Sequence, residues 1–147
     1  MPTVLVLDGD AGPALATVRS LGRAGWHVVV PSPSRAVYSR HAHVAREIPD
    51  ASENPDAFSV AVARAVRSTG ADIVVPSTDA SVEVLWAIEG TLGGARILGA
   101  DRASAALGID KAKTLAAATD AGFPTPDWVA PGSLDEAVAA VAAVGYP

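Results

Sequence analysis

Thr3-Val4-Leu5-Val6-Leu7-Asp8-Gly9-Asp10-Ala11-Gly12-Pro13 is the stretch that decides the fold. Five consecutive β-branched or leucine residues without polar alternation describe a strand buried on both faces, the pattern of a parallel sheet. The run breaks at Asp8-Gly9-Asp10, and Pro13 opens a helix in the first turn, where a missing N–H costs nothing. Leu15, Val18 and Leu21 form one apolar stripe along that helix, and Gly25 follows its end. Trp26-His27-Val28-Val29-Val30 is the next strand, halted at Pro31. Strand, crossover helix and strand in so short a span make a right-handed βαβ unit.

The signature recurs downstream. A loop from Pro31 to His43 leads into a third strand over Val44–Ile48. Asn54-Pro55 caps and starts a helix with Phe58, Val62, Ala65 and Val66 at helical spacing and Gly70 beyond its end. Asp72-Ile73-Val74-Val75-Pro76 is another buried strand, followed by Ser77-Thr78-Asp79 at a helix start whose Val82, Leu85 and Ile88 face inward. Arg96-Ile97-Leu98-Gly99 is a short last strand, and Asp101 caps a short helix that Gly108 ends. This alternation predicts an α/β fold, an open, mostly parallel sheet flanked by helices on both faces.

After Gly108 the pattern changes. Asp110 caps a helix to about Ala121, and Ser133 with Glu136 makes a capping box for a helix carrying Leu134, Val138 and Val141. Two amphipathic helices without strands need a surface to cover. The change of pattern separates a sheet portion, residues 1–105, from a helical segment, residues 106–147.

Composition narrows the function classes. Half of the 147 residues are apolar, enough for a substantial core. Eleven basic against sixteen acidic residues leave a formal charge of −5 and no basic face, which argues against a nucleic-acid partner. With no cysteine there are no disulfides, thiolate metal sites or cysteine nucleophiles, and three histidines do not make a zinc site by spacing alone. The run Val4–Leu7 is too short to span a bilayer and lacks the flanks of a signal peptide. No membrane partner and a cytoplasmic location are the expectations.

Several polar groups are placed where chemistry could occur. Gly9-Asp10-Ala11-Gly12 lies at a strand-to-helix turn, where open α/β sheets bind ligands, yet its spacing lacks the close glycine pair of a dinucleotide fingerprint. It is either a tight turn needing glycine for its backbone angles or a place where a carboxylate or phosphate meets helix amides. Ser77, Thr78 and Asp79 occupy the equivalent turn after the Ile73–Val75 strand, and capping explains one of them. If both turns face one crevice, Asp10, Ser77, Thr78 and Asp79 form a polar rim suited to an amine-bearing substrate. The loop Ser34 to His43 gathers two arginines and two histidines and is either solvated or, through Arg40, a fork for a substrate carboxylate. His27 reads as a packed or edge residue, and Lys113 as a side chain pointing to water. Lys111 stands just inside a helix start, where positive charge opposes the helix dipole. Either Asp110 or a bound phosphate would compensate it.

The order Asp110-Lys111, Gly122-Phe123-Pro124-Thr125-Pro126, Ser133 to Val144 and Gly145-Tyr146-Pro147 resembles the entry to an ATP-grasp domain, and Val75-Pro76-Ser77-Thr78-Asp79 and Ser39-Arg40 also fit that family. The whole chain resembles the N-terminal, Rossmann-like pre-ATP-grasp domain plus the first helices of the ATP-grasp domain, as in biotin carboxylase, carbamoyl phosphate synthase and amino-acid or peptide ligases. The resemblance implies ATP and Mg2+ as cofactors, with the magnesium ligands beyond residue 147. It implies small-molecule carboxylate and amine substrates, Lys111 as an ATP contact, and Gly9, Asp10, Arg40, Ser77, Thr78 and Asp79 as substrate-binding candidates. No catalytic or metal-binding residue is assigned within the chain, and these residues alone are expected to be inactive. A homodimer is possible. The alternatives are a Rossmann-type cofactor domain, which would want an acidic residue where Pro31-Ser32 closes the second strand, and a flavodoxin-like interaction module.

If nothing covers them, the stripes Leu115/Ala118 and Leu134/Val138/Val141 should dimerise, fold back or be mobile.

Overall fold

The computed structural model describes residues 1–144, so Gly145-Tyr146-Pro147 lies outside the described residues. The chain divides into two compact units, Met1–Ala105 and Ala106–Pro147.

The first unit is built on five strands, β1 (Thr3–Val6), β2 (His27–Ser32), β3 (Val44–Glu47), β4 (Ile73–Val75) and β5 (Arg96–Ile97), in the order β3-β2-β1-β4-β5. Every pairing is parallel, with Val4 opposite both Val28 and Ile73. Helix α1 (Gly12–Arg23) joins β1 to β2, α2 (Pro55–Thr69) carries the chain from the β3 edge to β4, and α3 (Asp79–Ile88) precedes β5. The chain thus steps outward from β1 to β3 and then returns to the other side of β1. With crossovers of one hand, that reversal places α1 and α2 on opposite faces.

Side-chain alternation along β1 feeds both faces. Val4 and Val6 pack with Val28, Val30, Ala14 and Val18 under α1, whereas Leu5 and Leu7 pack with Val29, Val74, Phe58, Val62 and Leu85 under α2 and α3. Burial on both sides is why β1 and β2 read as unbroken apolar runs. Each fully buried Val, Leu or Phe contributes roughly 1.5–3 kcal/mol of transfer free energy.

Three local details differ from the sequence reading. Pro31 does not halt β2: it sits inside the strand opposite Arg46 of β3. The β1–β2 pairing ends at Leu5 and Val29, so the prolyl nitrogen two residues on has no ladder bond to miss. Helix α4 (Arg102–Ile109) continues through Gly108, one residue beyond the expected stop. Helix α6 (Leu134–Val144) has half of its expected capping box: Ser133 Oγ accepts from the Glu136 amide at 3.2 Å, but Glu136 reaches to the Gly132 amide at 2.7 Å.

In the second unit α5 (Lys111–Asp120) is capped as expected, with Asp110 accepting from the Lys113 amide at 3.1 Å. Its Leu115 and Ala118 are half-buried, while Leu134, Val138 and Val141 of α6 are exposed. No described helix is long and apolar enough to cross a membrane.

Candidate functional site

The strand order reverses between β1 and β4, and the two turns that leave these strands meet there. Such a switch point, at the carboxyl ends of the strands, is where open α/β sheets form a crevice. Asp8 joins the turns. Its Oδ2 accepts from the Ser77 amide at 2.7 Å and from the Ser81 hydroxyl at 2.6 Å, with Ser81 fully buried. Asp8 holds this position with φ of 55°, the left-handed region that aspartate tolerates better than most residues.

Gly9 is needed for closeness rather than for backbone angle, because the left-handed position is Asp8. A Cβ at Gly9 would lie 2.3 Å from Ser34 Oγ and 2.8 Å from Ser34 Cβ. The loop after β2 is laid over the turn and anchored by the Ala36 amide donating to the Gly9 carbonyl at 3.1 Å. Asp10 adds a second tie. Its carboxylate accepts from the Arg35 amide at 2.8 Å and from Arg35 Nε at 3.3 Å, and its carbonyl accepts from the same guanidinium. The roof over Gly9 also blocks the close backbone approach that a dinucleotide pyrophosphate needs, which removes support from the cofactor-domain alternative.

These ties border a cleft of about 160 Å³. Asp8, Asp10 and Asp50 line it together with Ser34 and Thr78, Phe58 stands at its wall, and no basic side chain lines it. Asp50 is held ionised below the usual carboxylate range by hydrogen bonds from the Ser52 hydroxyl and amide, with burial opposing the shift. Asp10 is paired with Arg35, so the negative charge of the wall rests mainly on Asp8 and Asp50, beside two hydroxyls, an arrangement suited to a cationic or amine-bearing group.

Of the sequence candidates, Gly9, Asp10 and Thr78 line this cleft. Thr78 is also the cap of α3, accepting from the Ser81 amide. Ser77 and Asp79 flank Thr78 without lining the cleft, Ser77 being tied through its amide to Asp8. Arg40 lines a different cavity, with Arg19, Arg23 and His41. His27 lies at the start of β2 with its ring centroid 5.0 Å from that of His43. Asp8, unassigned in the sequence reading, is the residue that holds the two turns together. Its only signal in sequence is a polar residue closing a buried strand.

In the second unit, Asp110 pairs at 3.1 Å with Lys113, whose side chain is exposed to water, as the sequence suggested. Lys111 is exposed and has no acidic partner among the described residues. Its ammonium, unpaired at a helix start, suits an anionic phosphate. Among the described residues no group of three or more His, Asp or Glu side chains could hold a metal ion.

No family model and no curated protein sequence matches the chain. Solved structures do. The biotin carboxylase domain of the 2-oxoglutarate carboxylase of Hydrogenobacter thermophilus, in complex with MgADP, ADP and bicarbonate, superposes with a TM-score of 0.72 at 22% identity, over 99% of this chain and 33% of that one. The biotin carboxylase domain of a single-chain bacterial carboxylase gives 0.70 at 22% identity, over 97% and 34%. The fold is shared with biotin carboxylase domains. Glycinamide-RNase-transformylase T of Mycobacterium tuberculosis has the same arrangement over 86% of this chain and 38% of its own, with a TM-score of 0.59 at 23% identity. The chain thus spans about a third of the length of the biotin carboxylase domains it matches. The fold expected from the sequence, an open parallel α/β sheet flanked by helices, is the fold observed.

Proposed function

We propose that this chain is the N-terminal portion of an ATP-grasp ligase that joins a carboxylate to an amine or related nucleophile. In this reading Met1–Ala105 is the pre-ATP-grasp domain and Ala106–Pro147 begins the ATP-grasp domain. The observation that carries it is the fold shared with biotin carboxylase domains over nearly the whole chain.

ATP with Mg2+ supplies the phosphoryl group that activates the carboxylate as an acyl phosphate, and the amine then displaces phosphate. The residues of this chain bind and position. The acidic cleft of Asp8, Asp10 and Asp50 attracts the amine substrate in its ammonium form, with Thr78 and Ser34 offering hydroxyls for orientation. Lys111 neutralises part of the phosphate charge.

Calorimetric titration of the full-length polypeptide with MgATP tests the reading. Saturable binding that weakens about tenfold in Lys111→Ala, as expected for one charge-assisted contact, supports it. Absence of MgATP binding, or unchanged affinity in Lys111→Ala together with binding of NAD, overturns it.

A further inference from the structure

The parallel sheet has a second end. Helix α1 runs antiparallel to the strands it packs on, so its last turns lie at the opposite edge from the acidic cleft. There Arg19, Arg23, Tyr38, Ser39, Arg40 and His41 line a cavity of about 460 Å³ without any carboxylate. Neither ion pair among the described residues involves these arginines. In a chain of net charge −5, three guanidiniums and an imidazole converge without a counter-charge.

The cavity is built from two separate segments. Arg19 and Arg23 stand one turn apart on α1, and Arg23 Nε donates to the Arg19 carbonyl at 3.2 Å, keeping its side chain along the helix. The loop returning from β2 brings the rest. Gly22 lets it press onto the helix, since a Cβ there would lie 2.4 Å from His41 Cβ and 2.8 Å from its Cγ. His41 accepts at Nε2 from Arg40 Nε at 3.4 Å, and its amide donates to Ser39 Oγ at 3.3 Å. The dipole of α1 accounts for arginines near its carboxyl end. It does not account for a loop that adds Arg40 and His41 to the same spot.

We propose that this cavity binds a small multivalent anion of the phosphate class, a phosphate monoester or pyrophosphate group, held by Arg19, Arg23 and Arg40 with His41. Guanidinium groups match phosphate oxygens through paired N–H donors, and three of them carry more charge than a single carboxylate requires. The patch is too confined for the extended basic track of a nucleic-acid site. His41 also enters the balance. Partial burial, then Arg40, Arg23, His43 and Arg19, hold its pKa below the ordinary histidine value. A bound anion offsets those charges and raises it, so binding takes up a proton and tightens as pH falls through the interval between the two values.

The test is calorimetric titration of the whole protein with inorganic pyrophosphate at physiological ionic strength, with imidazole NMR of His41 to locate the site. Saturable binding that moves the His41 resonances and weakens about tenfold in Arg23→Gln and in Arg40→Gln supports the site, as does unchanged binding in Arg102→Gln on α4. Circular dichroism checks that each variant is folded, and these exposed arginines bear no core contact. A titration with sulfate, whose charge is constant near neutrality, should tighten toward lower pH. Failure of pyrophosphate to shift His41, retention of affinity in both arginine variants, or equal affinity for malonate overturns the phosphate assignment.

Discussion

Ser81, on the first turn of α3, donates its hydroxyl at 2.6 Å to Asp8, which lies 73 residues earlier at the end of β1. Together with the Ser77 amide it binds the β4–α3 turn to the β1–α1 turn through one carboxylate oxygen. Removing that carboxylate in Asp8→Ala should destabilise the first unit by roughly 2–3 kcal/mol, since a hydrogen bond to a charged acceptor is lost and alanine tolerates positive φ poorly. Asp8→Asn keeps an acceptor and the left-handed tolerance, and should cost less than half as much. Urea unfolding followed by circular dichroism measures both, and equal losses would show that the bridge is not what matters at this position.

Two glycines of the first turn should behave oppositely. Gly9→Ala pushes a methyl group into Ser34 and should cost about 1–3 kcal/mol by lifting the loop that roofs the cleft. Gly12→Ala meets nothing within 4 Å at the start of α1 and should be neutral or stabilise by about 0.4–1 kcal/mol. Thermal unfolding of the pair distinguishes steric exclusion from a general need for glycine.

Acid should loosen the helix starts before the sheet. The Lys113 amide and side chain lower the Asp110 pKa, and the Ser104 hydroxyl and amide lower that of Asp101, each against a small opposing effect of burial. A carboxylate whose pKa is depressed by folding stabilises the folded state above its unfolded value, and that contribution disappears as pH falls through the folded value. Amide exchange at Lys113 and Ser104 should therefore accelerate below about pH 4 while Leu5 and Val74 stay protected. Constant protection at Lys113 and Ser104 down to pH 2 would contradict this.

Among the described residues, helix α6 should be less protected than β1. Leu134 is 80% exposed and Val138 67%, whereas Val4–Leu7 are fully buried. Local opening costs less where few apolar contacts are lost, so α6 amides should exchange at least about a hundredfold faster than those of β1. Protection equal to β1, in a monomer by light scattering, would mean that the helix is covered by a surface of its own.

If the acidic cleft receives an amine, charge removal should act on binding. On the proposed ligase reading, Asp10→Asn in the full-length polypeptide should raise KM for the amine several-fold and leave kcat nearly unchanged, because uniform binding is lost without touching the proposed phosphoryl step. An equal fall in kcat with constant KM would place Asp10 elsewhere in the reaction.

The strands β1, β2 and β4, their intervening helices and the caps at Asn54, Asp101 and Asp110 were legible in the chain because each depends on neighbours within one or two turns, whereas which of Ser77, Thr78 and Asp79 caps α3 was not. The same locality explains the misreadings. Whether Pro31 ends a strand depends on whether a partner wants its N–H, and whether Glu136 closes a capping box depends on a choice between two adjacent amides. The two turns of the candidate cleft could be named from sequence, but not their joint.

What residue order determined by itself was the kind of layer: apolar runs without alternation require burial on both faces, and helices between them require parallel pairing. Which side of β1 received β4 was settled only when the chain returned across the sheet. That return brings Asp8 to Ser77 and Ser81, while the loop that leaves β2 sets Arg40 beside Arg19 and Arg23 instead of at the cleft and gives Gly9 a roof. Hydrogen bonds between groups some seventy residues apart have no local signature, because their energy exists only once the intervening chain has already been placed.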